Sequence, residues 1–257
     1  FLVMVSGMGT IAGSVMGTYI GMLGGTDPAA KVLFATHLLS ASVMAVPGSI
    51  VLAKMLCPQT EEATDHVAIS GKEKENSNIL DAISSGTVTG VKLMTNIAAM
   101  LLVFISLVAL ANYITEGVIG RYTGLNDWIV KITDGKAQGL TFQFILGVIT
   151  SPFMWLIGVP SQDIMLVGSL LGQKTILNEF VAYFQLQQWK DAGLFMYEKS
   201  ILMSTYILCG FANISSIGIL LGGLGVLAPE KRGLISRIGV PAMIGGALVS
   251  VLSATII

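Results

Sequence analysis

Long apolar stretches, broken at a few points by polar or small residues, set the pattern of this chain. Residues 1–23 form one such stretch without a charge, and residues 32–53 form a second that contains His37 and Pro47. About 20 apolar residues suffice to cross a bilayer, so each stretch predicts a span. The run from Cys57 to Asn78 carries Glu61, Glu62, Asp65, Lys72, Glu73, Lys74 and Glu75 and belongs in water. A long helix is predicted from Ile79 to Tyr113, amphipathic at first and apolar but for Ser106 from Ile97 to Ala111. Residues 114–139 are mixed, and their Trp128 suits the membrane interface. The apolar region from Leu140 to Leu186 is interrupted by Pro152, Gly158, Pro160, Gln162 and Asp163. It is too long for one span and too broken for two, which fits an interfacial helix followed by a re-entrant hairpin. Residues 200–227 and 238–257 predict the last two spans.

The interruptions carry the functional signal. Glu179 sits inside the apolar run Leu177-Asn178-Glu179-Phe180-Val181-Ala182-Tyr183, and Cys209-Gly210-Phe211-Ala212-Asn213-Ile214-Ser215-Ser216 breaks another. An ionisable group at membrane depth is expensive, so it faces a cavity and marks a substrate or ion path. Small and polar residues in mid-span let a helix unwind where it lines such a cavity. Composition agrees: 53% of residues are hydrophobic and 11% are charged, against about 25% charged in soluble domains. The chain reads as an all-α integral membrane protein. A net charge of −1 gives no electrostatic case for nucleic acid. Cys57 and Cys209 lie far apart, which argues against a disulfide framework and a thiolate metal site, and two scattered histidines make no metal cluster. The Lys231, Arg232 and Arg237 cluster between the last two spans places that loop in the cytoplasm and the C-terminus outside. Phe1 opens inside an apolar stretch without a basic run, so the expectation is a segment of a longer protein rather than a signal peptide.

Several residues carry two readings. Gly9, Gly13, Gly17 and Gly21 fall four apart, which on a helix forms a ridge for close packing. Thr10 and Ser14 lie beside it. Their hydroxyls can back-bond to helix carbonyls, or Thr10 can join freed carbonyls around a hard cation such as sodium. Glu179 is an interfacial carboxylate, a partner for Lys174, or an acceptor for two vicinal hydroxyls of a sugar. Lys174, five residues away, is poorly placed for pairing on a regular helix. Asn213 and Ser216 share a helical face while Phe211 points elsewhere, and an unwound turn could bring all three to one cavity. Asn supplies a donor and an acceptor, Ser a hydroxyl, and Phe a flat surface for an aromatic ligand. The competing reading makes Asn213 and Ser216 hydrogen-bonding glue between helices. His37 reads as a packing histidine. Thr10-Ile11-Ala12-Gly13-Ser14-Val15 and Asn213-Ile214-Ser215-Ser216-Ile217-Gly218 each interrupt a span that ends in a glycine pair, the pattern of a transporter repeat.

These stretches resemble the concentrative nucleoside transporters. The resemblance rests on Gly9-Thr10-Ile11-Ala12-Gly13-Ser14-Val15, on His37-Leu38-Leu39 through Ala41-Ser42-Val43-Met44 to Pro47, and on Gly168-Ser169-Leu170-Leu171-Gly172. It continues through Asn178-Glu179-Phe180-Val181-Ala182-Tyr183, Cys209-Gly210-Phe211-Ala212-Asn213, Ser215-Ser216-Ile217-Gly218 and Leu227-Ala228-Pro229-Glu230. It implies symport of nucleosides driven by sodium or protons, in a homotrimer whose transport domain combines two re-entrant hairpins with two broken helices in an inverted repeat. By resemblance Glu179, Asn213 and Ser216 hold the ribose and Phe211 and Val15 contact the base. Thr10 and the backbone carbonyl of Ile11 supply part of a sodium site. The family's first hairpin and preceding scaffold helices are expected before residue 1, and Pro58-Gln59-Thr60-Glu61 stands where the family reads Pro-Glu-Thr-Glu.

The expected organisation follows. Residues 1–56 form the first half of a transport domain, 57–78 a polar loop, 79–139 a scaffold helix with an interfacial segment, and 140–257 the second half. The expected protein is a multi-pass nucleoside symporter of a bacterial inner membrane, not an enzyme. It carries no cofactor and takes sodium as its co-transported ion, with proton coupling as the alternative. The rivals are an intramembrane hydrolase pairing a serine with His37, and a fragment that does not transport.

Overall fold

The polar interruptions end and restart helices where the sequence places them. The computed structural model describes residues 1–60, 78–133, 135 and 137–257. In chain order the helices are α1 (Leu2–Gly9), α2 (Gly13–Gly24), α3 (Pro28–Leu56) and α4 (Ile79–Asn112). α4 continues as π-helix over Tyr113–Gly120, followed by α5 (Arg121–Thr123) and α6 (Leu125–Ile132). Then come α7 (Phe142–Leu156), α8 (Ile164–Ile176), α9 (Glu179–Asp191), α10 (Glu198–Leu208), α11 (Ile214–Leu227) and α12 (Arg232–Ala254). Among the described residues there is no strand. Most of the polar loop falls outside the described residues.

Local chemistry fixes the starts. Asp27 caps α3 by accepting from Ala29 N at 2.9 Å, with Pro28 in the first turn, where its missing N–H costs nothing. Thr141 caps α7 through Phe144 N at 3.1 Å, and Asn178 caps α9 through Val181 N at 2.9 Å. Gly158 and Gly193, both at positive φ, turn the chain after α7 and α9.

Leu2–Gly24, Pro28–Leu56 and Arg232–Ala254 are long and apolar enough to cross a membrane, the first containing the break between α1 and α2. On α3 the buried stripe is Phe34, Leu38, Ala41, Ala45, Ser49 and Ala53, yet Val32, Leu39, Val43 and Met55 on its other faces are exposed. A helix apolar on all sides needs an apolar solvent, here lipid. The helix of 13 residues on each side of Leu177-Asn178, α8 and α9, measures about 20 Å at 1.5 Å per residue. That is shorter than the roughly 30 Å hydrocarbon core.

Among the described residues, two cores hold the fold. One gathers Tyr19, Leu23, Leu38, Leu170, Tyr183, Leu186 and Ile207 from α2, α3, α8, α9 and α10. The other joins Met4, Val5 and Met8 of α1 to Ala45, Ala242 and Val249 of α3 and α12. α7 and α8 pack almost backbone to backbone: a Cβ on Gly172 would stand 2.5 Å from Leu146 Cβ, and one on Gly168 2.6 Å from Thr150 Oγ1. The α4–α6 arm meets this body through the start of α7, where Asn112 Oδ1 accepts from Phe142 N at 2.7 Å and Asn126 Oδ1 from Leu140 N at 3.0 Å.

The glycine ridge is corrected. Gly9 does lie in close contact, its added Cβ 3.2 Å from Ser49 Oγ and Val249 Cγ1, but among the described residues Gly13, Gly17 and Gly21 would meet nothing within 4 Å. The break at Thr10-Ile11-Ala12 interrupts the helix that would have aligned the four.

Candidate functional site

Both interrupted spans break, and the breaks meet. α1 stops at Gly9 and α2 starts at Gly13; α10 stops at Leu208 and α11 starts at Ile214. A Cβ on Gly210 would stand 3.1 Å from Gly9 O and 3.2 Å from Met8 O, so the second break lies directly on the carbonyls that end α1. Only a residue without a side chain permits that approach.

Glu179, the first residue of α9, reaches this crossing. It is 6% exposed, and its Oε2 accepts a hydrogen bond from Asn213 Nδ2 at 3.0 Å. Tyr19 of α2 makes a longer contact, its hydroxyl 3.5 Å from Oε1, and its ring stacks on Tyr183 with centroids 4.1 Å apart. From α9 the carboxylate therefore touches the second break and the half of the first broken helix beyond its break. Asn213 serves twice: its Oδ1 caps α11 by accepting from Ser216 N at 2.9 Å and also accepts from Ser215 Oγ at 2.6 Å. Ser216 Oγ donates to the carbonyl of Phe211.

A cavity of about 280 Å³ opens at this crossing, lined by Gly7, Thr10, Ile11, Ala12, Val15, Glu179 and Phe211. Five sequence-predicted residues, Thr10, Ile11, Val15, Glu179 and Phe211, thus share one cavity. Asn213 and Ser216 do not line it: both are fully buried behind it, one holding Glu179 and the other the Phe211 backbone. Thr10 Oγ1 donates to Ser6 O at 3.0 Å, the back-bonding geometry. That commits its proton and leaves the oxygen lone pairs available.

Lys174 is not the partner of Glu179. Its ammonium donates instead to Ile207 O at 2.8 Å and Ser250 Oγ at 3.0 Å. His37 Nδ1 lies 3.2 Å from the Tyr206 hydroxyl, a packing contact rather than a pairing with serine. Among the described residues no group of three His, Cys, Asp or Glu side chains could hold a metal, so the oxygens offered at the cavity are hydroxyl, carbonyl and carboxylate. Tyr19 is the residue sequence reasoning missed, and its signal was present: it lies four residues beyond Val15, on the same helical face.

The sequence profile described as "Na+ dependent nucleoside transporter C-terminus" matches residues 37–257. The chain belongs to the concentrative nucleoside transporter family. An uncharacterized transporter of Haemophilus influenzae is 39% identical over 100% of this chain and 57% of its own length. Sodium/nucleoside cotransporter 1 of Rattus norvegicus is 38% identical over 99% of this chain and 38% of its own length. The solved structure of CNTnw in an inward-facing substrate-bound state matches with a TM-score of 0.78 at 35% identity, covering 99% of this chain and 55% of that one. A variant of CNTnw in an outward-facing state matches with a TM-score of 0.82 at 35% identity, over 99% and 56%. The chain thus spans little more than half of these transporters, and less of the rat one. Like them it is a multi-pass membrane protein, and its family carries solutes rather than catalysing reactions.

Proposed function

We propose that the protein carries nucleosides across a membrane together with a cation, sodium, by alternating access. The observation that carries this reading is the buried Glu179 carboxylate at a cavity between two helix breaks, held from behind by Asn213. A carboxylate only accepts hydrogen bonds, and each oxygen has room for more than one. With Asn213 and Tyr19 taking one position each, the remainder suit the vicinal hydroxyls of a ribose. Phe211 offers a ring for a base and Val15 an apolar wall. The cavity volume, about 280 Å³, falls just below the roughly 300–1,000 Å³ typical of small-molecule sites. Asn213 and Ser216 join the ribose contacts only by exchanging the internal bonds they make here, so their first role is to aim Glu179 and Phe211.

Thr10 Oγ1 and the carbonyl of Ile11 form the cation side of the cavity. Neutral oxygens at a helix C-terminus attract a hard monovalent ion without a formal negative charge. This favours sodium over a proton, in keeping with the name of the rat relative. Residues 1–56 and 140–257 then act as the moving transport unit, with the short α8–α9 pair as a re-entrant hairpin and 79–139 as scaffold. The exposed apolar positions of α4, Leu102 and Val103 among them, face lipid or sister copies in a homotrimer of the bacterial inner membrane.

Uptake of uridine and adenosine by the full-length protein in proteoliposomes tests the proposal. Sodium-driven uptake, abolished by Glu179→Gln, is expected. Uptake that follows a proton gradient instead overturns the ion assignment. No uptake of either nucleoside by folded protein overturns the substrate.

A further inference from the structure

α10 ends inside the protein, and the last four carbonyls of a helix have no intrahelical partner. Side chains supply donors at this end. Tyr183 Oη donates to Thr205 O at 2.8 Å, Lys174 Nζ to Ile207 O at 2.8 Å, and Ser250 Oγ to Cys209 O at 3.2 Å. Lys174 also donates to Ser250 Oγ at 3.0 Å and is 0% exposed. It stands in the last turn of α8, five residues before Glu179, and pins α8 to α10 and α12. A helix C-terminus carries a partial negative charge, so an ammonium placed there is compensated by the dipole as well as by its two oxygens.

The end of α1 is built differently. Thr10 satisfies Ser6 O, but among the described residues no ammonium or guanidinium reaches the carbonyls of Gly7, Met8 or Gly9. Gly7, Thr10 and Ile11 face the cavity instead. Two similar breaks therefore cross at one cavity; among the described residues the helix end before the second carries a cation of the chain itself, and the helix end before the first carries none.

We propose that Lys174 is a tethered cation: its ammonium holds the end of α10 at the second break, the role that a diffusible cation takes at Thr10 and Ile11 of the first. It is a positioning residue. By holding the end of α10 it keeps the second break formed before any ion arrives, with Asn213 aimed at Glu179, so that only the first break has to be ordered by an ion. This inference rests on the cation-coupled reading above.

The test compares full-length wild type, Lys174→Ala and Lys174→Met for uridine affinity against sodium, and for thermal unfolding, each with and without methylammonium chloride. Lys174→Ala leaves a hole at the carbonyls. It is expected to lose about tenfold or more in uridine affinity, to depend more steeply on sodium, and to recover affinity and melting temperature with methylammonium. Lys174→Met fills the hole without charge and shows the loss but no recovery; wild type does not respond. Folded Lys174→Ala with wild-type affinity and sodium response overturns the proposal. So does a loss that neither methylammonium nor raised sodium repairs, which is what a merely structural lysine gives. Should neither variant fold, Ser250→Ala removes one of the two oxygens around the ammonium. A loss of about threefold with a steeper sodium dependence then supports the proposal, and an unchanged sodium response overturns it. Wild type that binds no uridine refutes the function proposed above. The melting response of Lys174→Ala to methylammonium still decides the role of the lysine.

Discussion

Asn213 does two jobs that two substitutions separate. Its carbonyl oxygen caps α11 through Ser216 N, and its amide donates to Glu179 at 3.0 Å. Serine at this position keeps an N-cap oxygen but is too short to reach the carboxylate; alanine keeps neither. Loss of an N-cap costs about 0.5–2 kcal/mol, and loss of a hydrogen bond to a charged group about 1.5–3 kcal/mol. Asn213 is fully buried, so water does not replace either bond cheaply. The cap appears in stability alone, whereas the amide bond also orients the group proposed to accept the ribose. Asn213→Ser is therefore expected to weaken nucleoside binding by roughly 10- to 150-fold, which is 1.5–3 kcal/mol at 1.4 kcal/mol per decade. Asn213→Ala is expected to weaken binding by a similar factor and to unfold at lower temperature than Asn213→Ser. Titration of detergent-purified protein with uridine, alongside thermal unfolding followed by intrinsic fluorescence, reads both quantities. Nucleoside affinity of Asn213→Ser within twofold of wild type would refute the claim that Asn213 aims Glu179.

Three further outcomes follow from the same geometry. Thr10→Val keeps the shape of the side chain but removes the oxygen proposed for the ion, so on that proposal apparent sodium affinity for uridine uptake is expected to fall about tenfold or more while saturating sodium restores most of the uptake. Gly210→Ala places a Cβ 2.5 Å from Ser250 Oγ and against the Gly9 and Met8 carbonyls. It costs about 1–3 kcal/mol of stability in thermal unfolding, whereas Gly17→Ala, with nothing within 4 Å, leaves the melting temperature unchanged. Tyr19→Phe removes only a long 3.5 Å contact to Glu179. Uridine affinity therefore drops by no more than about fivefold, within the 0.5–1.5 kcal/mol of an ordinary hydrogen bond.

Local interruptions were legible in the sequence because their cause is local. Gly9-Thr10-Ile11-Ala12 and Cys209 through Asn213 place small and polar residues where an apolar helix would otherwise run on, and the helices stop there. The exposed apolar faces of α3 were foretold in the same way by hydropathy alone. What spacing could not show was long-range partnership. Lys174 looked misplaced for Glu179 because its partners, Ile207 and Ser250, lie 33 and 76 positions away. Asn213 and Ser216, four-square on one helical face in the sequence, turn inward because the cap and the Phe211 carbonyl claim them first. The four glycines read as one packing ridge because periodicity assumes an unbroken helix; the break sets Gly9 apart, and the other three stay aligned on α2 but meet nothing within 4 Å among the described residues.

The crossing of the breaks gives coupling a physical route. Gly210 rests on the carbonyls of Met8 and Gly9, so the end of α1 cannot shift without displacing the second break. That break carries Asn213, Asn213 holds Glu179, and Glu179 contacts Tyr19 across the break from α1. On the function proposed above, a cation at Thr10 and Ile11 would order part of the surface proposed for the nucleoside, and a nucleoside at Glu179 would in turn order the proposed ion site. Each ligand finds part of the ordering cost already met by the other, and linkage requires the effect to be equal in both directions. With the far end of the second break fixed by Lys174, this exchange is confined to the side of the crossing that opens to the cavity.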